Sequence, residues 1–127
     1  MPSVLLVEDD ERIRKMYAMG LSLSGFEVTD AATGGEALIR LEDTHFDVII
    51  LDMLMSGMSG LDVLRDYDVQ AKSPGTKVIA LTNLDNPAVK EKAAGFGITE
   101  YLTKANFEPQ ELAQHIQDLL AQPQPPA

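Results

Sequence analysis

Five side chains that could carry out chemistry together stand directly after short apolar runs of this sequence. Glu8 and Asp9 follow the first run, Asp52 follows the third, Thr82 ends the fourth, and Lys104 comes just after the fifth. Carboxylates can act as nucleophiles and as ligands for hard metal ions, while a hydroxyl and an ammonium group can hold anionic oxygens. Brought to one place, this set suits phosphoryl transfer to a carboxylate, with a divalent metal ion to neutralise the developing charge.

The elements that must position these residues alternate between strand and helix five times along the chain. Apolar runs of strand length predict strands that are buried on both faces, as in parallel sheets. We therefore predict an α/β fold, a doubly wound five-stranded parallel sheet in the order 2-1-3-4-5 with helices on both faces. The predicted strands cover residues 4–7, 27–31, 48–51, 77–82 and 98–102.

Helix starts are indicated by residues that cap helices or occupy a first helical turn. Asp10 is a predicted cap for the first helix, and an Asn86-Pro87 pair is typical of a cap followed by the first helical position. The polar stretch over residues 67–75 predicts a loop. We predict one domain over residues 1–121, followed by a proline-rich tail or linker stub over residues 122–127. Further helix starts are predicted at Thr33, at Ser59 and near Glu108.

The predicted strand order brings negative charges close together. It places the first strand beside the third, and hence Glu8 and Asp9 next to Asp52. Two unit charges about 4 Å apart repel by roughly 4 kcal/mol at an effective dielectric constant near 20. Lys104, protonation or a divalent cation could relieve this repulsion. Because the predicted ligand atoms are all oxygens, the cation that suits the cluster best is Mg²⁺.

Composition narrows the classes of function that remain. The chain has 127 residues and no cysteine, which excludes disulfides and thiolate metal sites. Its formal net charge is -10, which disfavours nucleic acid and anionic membranes as direct partners of this domain. Neither a signal peptide nor a membrane-spanning apolar run is present, so we expect a soluble cytoplasmic protein.

The five residues in this order, each at a strand end, resemble the site of a response-regulator receiver domain, and the resemblance covers the chain up to the proline-rich tail. It implies that Asp52 accepts a phosphoryl group from the phosphohistidine of a histidine kinase or phosphotransfer protein. It also implies a Mg²⁺ site made by Glu8, Asp9, Asp52 and the backbone carbonyl of Leu54. Such a domain is no enzyme in the usual sense, because it catalyses only its own phosphorylation and dephosphorylation.

The resemblance further implies a switch that links the site to an output surface. Thr82 would bind the phosphoryl group, and Lys104 would form an ion pair with it. Tyr101 matches the aromatic residue of the family that turns inward when the threonine moves. The output surface would comprise the predicted helix starting at Pro87, the fifth strand and the last helix, and would contact a downstream output domain or protein.

Three residues depart from the pattern of the family and keep a second function open. Ser56 and Ala105 stand where the family usually has proline, and Asn83 stands where a small residue usually follows the threonine. Without proline we expect the Lys104-Ala105 bond to be trans or visibly strained. The alternative is a pseudo-receiver, a docking module that is not phosphorylated.

A third class of function is an independent enzyme or a flavin carrier on the same fold. The acidic run over residues 8–11 would repel a flavin phosphate unless a metal ion were bound. An aspartate-based phosphatase would need an Asp-x-Asp nucleophile motif after the first strand and a cap domain, and neither is present.

Overall fold

A parallel sheet lies at the centre of the structure, a computed structural model that describes residues 1–55, 57–82, 90–91 and 95–121. In the described ranges the sheet has five strands in the order β2-β1-β3-β4-β5, which confirms the predicted fold class and strand order. The strands are β1 (Ser3–Val7), β2 (Glu27–Ala31), β3 (Val48–Asp52), β4 (Lys77–Thr82) and β5 (Glu100–Thr103).

Helices cover both faces of the sheet. Those whose two ends both lie in the described ranges are α1 (Glu11–Leu23), α2 (Gly34–Asp43), α3 (Gly60–Asp66), the single-turn α4 (Val69–Lys72) and α5 (Pro109–Ala121). The predicted caps Asp10, Thr33 and Ser59 each accept a backbone hydrogen bond from the first turn of their helix. No helix in these ranges has the length and apolar character needed to cross a membrane.

One predicted loop contains a helix instead. Residues 67–75 include α4, because the Asp68 side chain accepts a hydrogen bond from the Ala71 backbone N–H (3.2 Å) and so caps a single turn. Most of the predicted helix starting at Pro87 lies outside the described residues. The same holds for Ser56, Asn83 and the predicted tail over residues 122–127.

The core has two layers, one on each face of the sheet. Alternate residues of β1 and β3 point to opposite faces, so Leu5 and Ile49 join the layer under α2 and α3 while Leu6 and Ile50 join the layer under α1 and α5. All four side chains are buried. Full burial of such a side chain contributes roughly 1.5–3 kcal/mol, which explains why β1 and β3 are apolar at consecutive positions.

Strand register brings the predicted site residues to one edge of the sheet. Val7 pairs with Leu51, so Glu8, which follows β1, and Asp52, which is the last residue of β3, lie side by side. On the other side of β3, Thr82 at the end of β4 pairs with Thr103 at the end of β5. Because all the strands are parallel, their carboxyl ends form a single edge.

Candidate functional site

The acidic turn after β1 is fixed by backbone contacts and by Arg14. The Glu8 backbone N–H donates to the Ala31 carbonyl of β2 (3.1 Å). Arg14 of α1 donates from Nη1 to the Glu8 carbonyl (3.0 Å) and from Nε to Asp30 Oδ2 (3.2 Å), and its side chain is only 14% exposed. The turn is therefore tied both to α1 and to β2.

Three carboxylates meet at this edge of the sheet. One oxygen from each of Glu8, Asp9 and Asp52 lies within 4.8 Å of the other two. Glu8 is 2% exposed and Asp52 is 4% exposed, while Asp9 is exposed to solvent. Two buried carboxylates and one exposed carboxylate form an all-oxygen set that could hold a hard divalent metal ion and leave part of its coordination open.

Lys104 balances part of this charge. Its Nζ lies 2.5 Å from Glu8 Oε2 and 3.1 Å from Asp52 Oδ2, and the lysine side chain is 9% exposed. Burial lowers the pKa of Lys104, but the hydrogen bonds and ion pairs with Glu8 and Asp52 outweigh burial, so the pKa lies above its ordinary value. The ammonium group is therefore charged at neutral pH, and two carboxylates share one cation.

The Asp52 carboxylate is held by donors on both of its oxygens. Oδ1 accepts a hydrogen bond from the Leu54 backbone N–H (3.0 Å), and Oδ2 accepts one from Lys104. The start of α3 packs close by, since a Cβ at Gly60 would come within 2.8 Å of the Asp52 carbonyl oxygen and of Met53 Sδ. Only glycine permits this approach, so Gly60 helps to define the shape of the loop after β3.

The two predicted switch residues lie on neighbouring strands. Thr82 is buried and ends β4 at the same edge as the carboxylates. Tyr101 is half-buried and pairs with Ala80 inside the sheet. Its hydroxyl donates to the Lys90 carbonyl (3.4 Å), and Lys90 Nζ lies 5.8 Å from the centre of the ring. Tyr101 thus contacts Lys90.

The turn after β5 contains a trans peptide bond, one of the two outcomes expected without proline at position 105. Residues 104–106 form a 3-10 turn, and no peptide bond in the described part of the chain is cis, so the Lys104-Ala105 bond is trans. The sequence patterns assigned no role at this site to Arg14 or to Tyr17. An arginine a few residues after an acidic run could have indicated the contact with the Glu8 carbonyl.

Glu8 makes the stability of the metal-free chain depend on pH. Burial raises the pKa of Glu8 to about 7 from 4.5 despite the hydrogen bond with Lys104, and the nearby charge of Asp52 adds to the increase. The folded chain therefore binds the Glu8 proton more tightly than the unfolded chain does. We expect the free energy of unfolding to fall between pH 4.5 and 7, by on the order of 3 kcal/mol from this group.

Urea denaturation at several pH values with EDTA measures this dependence. In Glu8→Gln, the free energy of unfolding should depend less on pH between pH 4.5 and 7. In Glu27→Gln, at an exposed position of β2, it should depend on pH as in the wild type. If the free energy of unfolding of the wild type rises over this interval, another titrating group controls the pH dependence of stability.

Sequence comparisons connect this site with known proteins. A family model described as the response regulator receiver domain matches residues 4–117. The probable transcriptional regulatory protein TcrX of Mycobacterium tuberculosis is 34% identical over 120 residues, which cover 93% of this chain and 49% of TcrX. The sensory transduction protein RegX3 of Mycolicibacterium smegmatis is also 34% identical, over 94% of this chain and 51% of RegX3. The chain spans about half the length of these curated relatives.

Solved structures agree with the sequence comparisons. The chemotaxis protein CheY4 of Vibrio cholerae superimposes with a TM-score of 0.85 at 35% identity, over 94% of this chain and 99% of that chain. The response regulator protein TrrA of Thermotoga maritima, in complex with Mg²⁺-BeF, superimposes with a TM-score of 0.80 at 31% identity. That match covers 94% of this chain and 100% of TrrA.

Proposed function

Because the chain belongs to the response regulator receiver domain family, we propose that it is a phosphorylation-controlled signalling switch in which Asp52 accepts the phosphoryl group. The observation that carries the proposal is the position of the Asp52 carboxylate. It lies within 4.8 Å of a carboxylate oxygen from each of Glu8 and Asp9 and 3.1 Å from Lys104 Nζ. A nucleophile, a potential metal site and a cation for the transferred oxygens thus meet at one point.

In the proposed reaction a carboxylate oxygen of Asp52 attacks the phosphorus of a phosphohistidine on a histidine kinase or phosphotransfer protein. The new O–P bond forms as the P–N bond breaks, and the electron pair of the P–N bond returns to the imidazole nitrogen. The product on Asp52 is an acyl phosphate. The Lys104 ammonium group, which first pairs with the Asp52 carboxylate, then pairs with an oxygen of the phosphoryl group. The chain catalyses only this reaction and the later loss of the phosphoryl group.

We assign a Mg²⁺ site to Glu8, Asp9, Asp52 and the Leu54 backbone carbonyl. The fit rests on the three carboxylate oxygens that lie close together and on the hard character of these ligands. Bound Mg²⁺ would neutralise negative charge on the transferred phosphoryl oxygens. The relative TrrA, whose structure holds Mg²⁺-BeF, supports this choice of metal. Arg14 would keep the turn that carries Glu8 and Asp9 in place for the metal ion.

Thr82 and Tyr101 are the proposed switch. Thr82 ends β4 beside Thr103, which precedes Lys104, so its hydroxyl belongs to the edge where the phosphoryl group would arrive. We propose that Thr82 turns toward the phosphoryl group and that Tyr101 then moves inward and gives up its contact with the Lys90 carbonyl. The predicted helix starting at Pro87, β5 and α5 would change as one surface and bind the downstream output domain or protein.

The proposed unit of function is residues 1–121, acting in the cytoplasm with a histidine kinase or phosphotransfer protein as its donor. The relatives TcrX and RegX3 are named for transcriptional regulation and for sensory transduction, and the chain matches about half of each. We propose no direct contact with nucleic acid for residues 1–127, whose net charge of -10 opposes such binding. We propose no membrane contact for this domain.

Acetyl phosphate or beryllofluoride with Mg²⁺ tests the proposal. Intact mass should increase by one phosphoryl group after treatment with acetyl phosphate, and beryllofluoride should change the NMR spectrum around Asp52, Thr82 and Tyr101. A chain that shows no mass increase and no spectral change, yet still binds a kinase, would instead be a pseudo-receiver that docks partners. Ser56, Asn83 and Ala105 are the residues that motivate this alternative.

A further inference from the structure

The turn that carries Lys104 is short and has little local support. Lys104 is its first residue, and the Phe107 N–H closes it by donating to the Lys104 carbonyl (3.2 Å). Thr103, which precedes the turn, makes no side-chain capping hydrogen bond to it. At position 105 the residue is alanine, whose φ is not fixed as that of proline would be. The shape of the turn therefore depends on contacts from elsewhere in the fold.

Such a contact comes from Tyr17 of α1. Its hydroxyl donates to the Phe107 carbonyl (2.9 Å) and lies 3.4 Å from the Lys104 carbonyl, so one buried group contacts both ends of the turn. Tyr17 is 2% exposed, and its ring packs in the core layer between the sheet, α1 and α5. Burial raises the pKa of Tyr17, so the hydroxyl keeps its proton and can donate at neutral pH.

From this geometry we infer that Tyr17 is a positioning residue for Lys104: its hydroxyl holds the 104–107 turn so that the lysine ammonium group reaches Asp52 and Glu8. The inference rests on the proposed role of Lys104 toward the phosphoryl group. An ammonium group on a flexible stem is oriented only as well as the backbone that carries it. Nothing in the spacing of an apolar helix face indicates this role.

Tyr17→Phe isolates the hydroxyl, because phenylalanine keeps the buried ring and removes only the donor to Phe107. The matched control is Tyr67→Phe, which removes a tyrosine hydroxyl at the end of α3, on the opposite face of the sheet. The ¹⁵N chemical shift of the Lys104 ammonium group in the metal-free chain, measured by NMR of the labelled side chain, is the first readout, because it reports whether the group stays in contact with Asp52 and Glu8. We expect it to move toward the value of a solvent-exposed lysine in Tyr17→Phe and to stay at the wild-type value in Tyr67→Phe.

Uptake of the phosphoryl group is the second readout. We expect Tyr17→Phe to take up the group from acetyl phosphate about 3- to 10-fold more slowly than the wild type, the change expected for one hydrogen bond. Affinity for Mg²⁺ alone should not fall, because the carboxylates are held by the β1–α1 turn and by β3. A merely structural role of Tyr17 would weaken both properties together with the melting temperature.

The two readouts separate this inference from the proposed function. An unchanged Lys104 ¹⁵N chemical shift in Tyr17→Phe would overturn the inference, as would equal losses of Mg²⁺ affinity and phosphoryl uptake. If the wild type takes up no phosphoryl group, the proposed function fails, while the Lys104 chemical shift still shows whether Tyr17 positions the lysine.

Discussion

Replacing Asp52 by asparagine should abolish the mass increase that acetyl phosphate and Mg²⁺ produce. The amide is a poor nucleophile and cannot form the acyl phosphate, so the expected loss is complete within the detection limit of intact-mass spectrometry. Asp10→Asn is the matched control. It makes the same chemical change next to the site, and asparagine can still cap α1. Phosphorylation of Asp52→Asn at the wild-type rate would assign the acceptor to another residue.

The same variant tests whether the carboxylates are crowded. Glu8, Asp52 and Lys104 together carry one excess negative charge when all three are ionised, and Asp52→Asn removes it while Lys104 keeps its contact with Glu8. We expect the melting temperature in EDTA to rise by about 3–6 °C, which corresponds to roughly 1 kcal/mol for a domain of this size. The increase that Mg²⁺ gives to the wild-type melting temperature should become smaller in Asp52→Asn.

Replacing Lys104 by methionine should cause the largest loss of stability. The change leaves two buried carboxylates without the cation that they share. Breaking a buried ion pair by removing one partner typically costs about 3–5 kcal/mol. We expect a loss of this size in the free energy of unfolding at pH 8, measured by urea denaturation in EDTA. At pH 5 the loss should be smaller, because Glu8, with a pKa of about 7, is then protonated.

Lys15→Met provides the control for Lys104. Lys15 pairs with Glu11 one turn away on the exposed face of α1, and water and salt screen such a surface pair so that it contributes little to stability. Mg²⁺ should restore part of the stability of Lys104→Met, since the carboxylates would regain a cation. A loss of equal size at pH 5 and pH 8 would contradict the electrostatic explanation and would assign the effect to packing of the lysine stem.

The strands of the sheet could be predicted because their side chains are buried. Strands inside a parallel sheet are covered on both faces, so β1 and β3 show unbroken apolar runs that stop at a carboxylate. The strands could therefore be located, and their order was predicted because it is the common order of five-stranded doubly wound sheets. The cap at Asp10 could be predicted because a cap acts on its own helix. The single turn of α4 was missed, since a polar stretch with one capping aspartate, Asp68, does not differ in composition from a loop.

The sequence by itself determined which residues stand at the strand ends and hence that Glu8, Asp9 and Asp52 would share one edge of the sheet. This information is local, because an apolar run fixes where a strand stops. Only the tertiary structure decided that Lys104 bridges Glu8 and Asp52 and that the Tyr17 hydroxyl contacts the lysine turn 87 and 90 residues away. These contacts join residues that are far apart in the chain, so they depend on where the turn after β5 lies relative to α1 and to the ends of β1 and β3, and no pattern within one segment encodes that geometry.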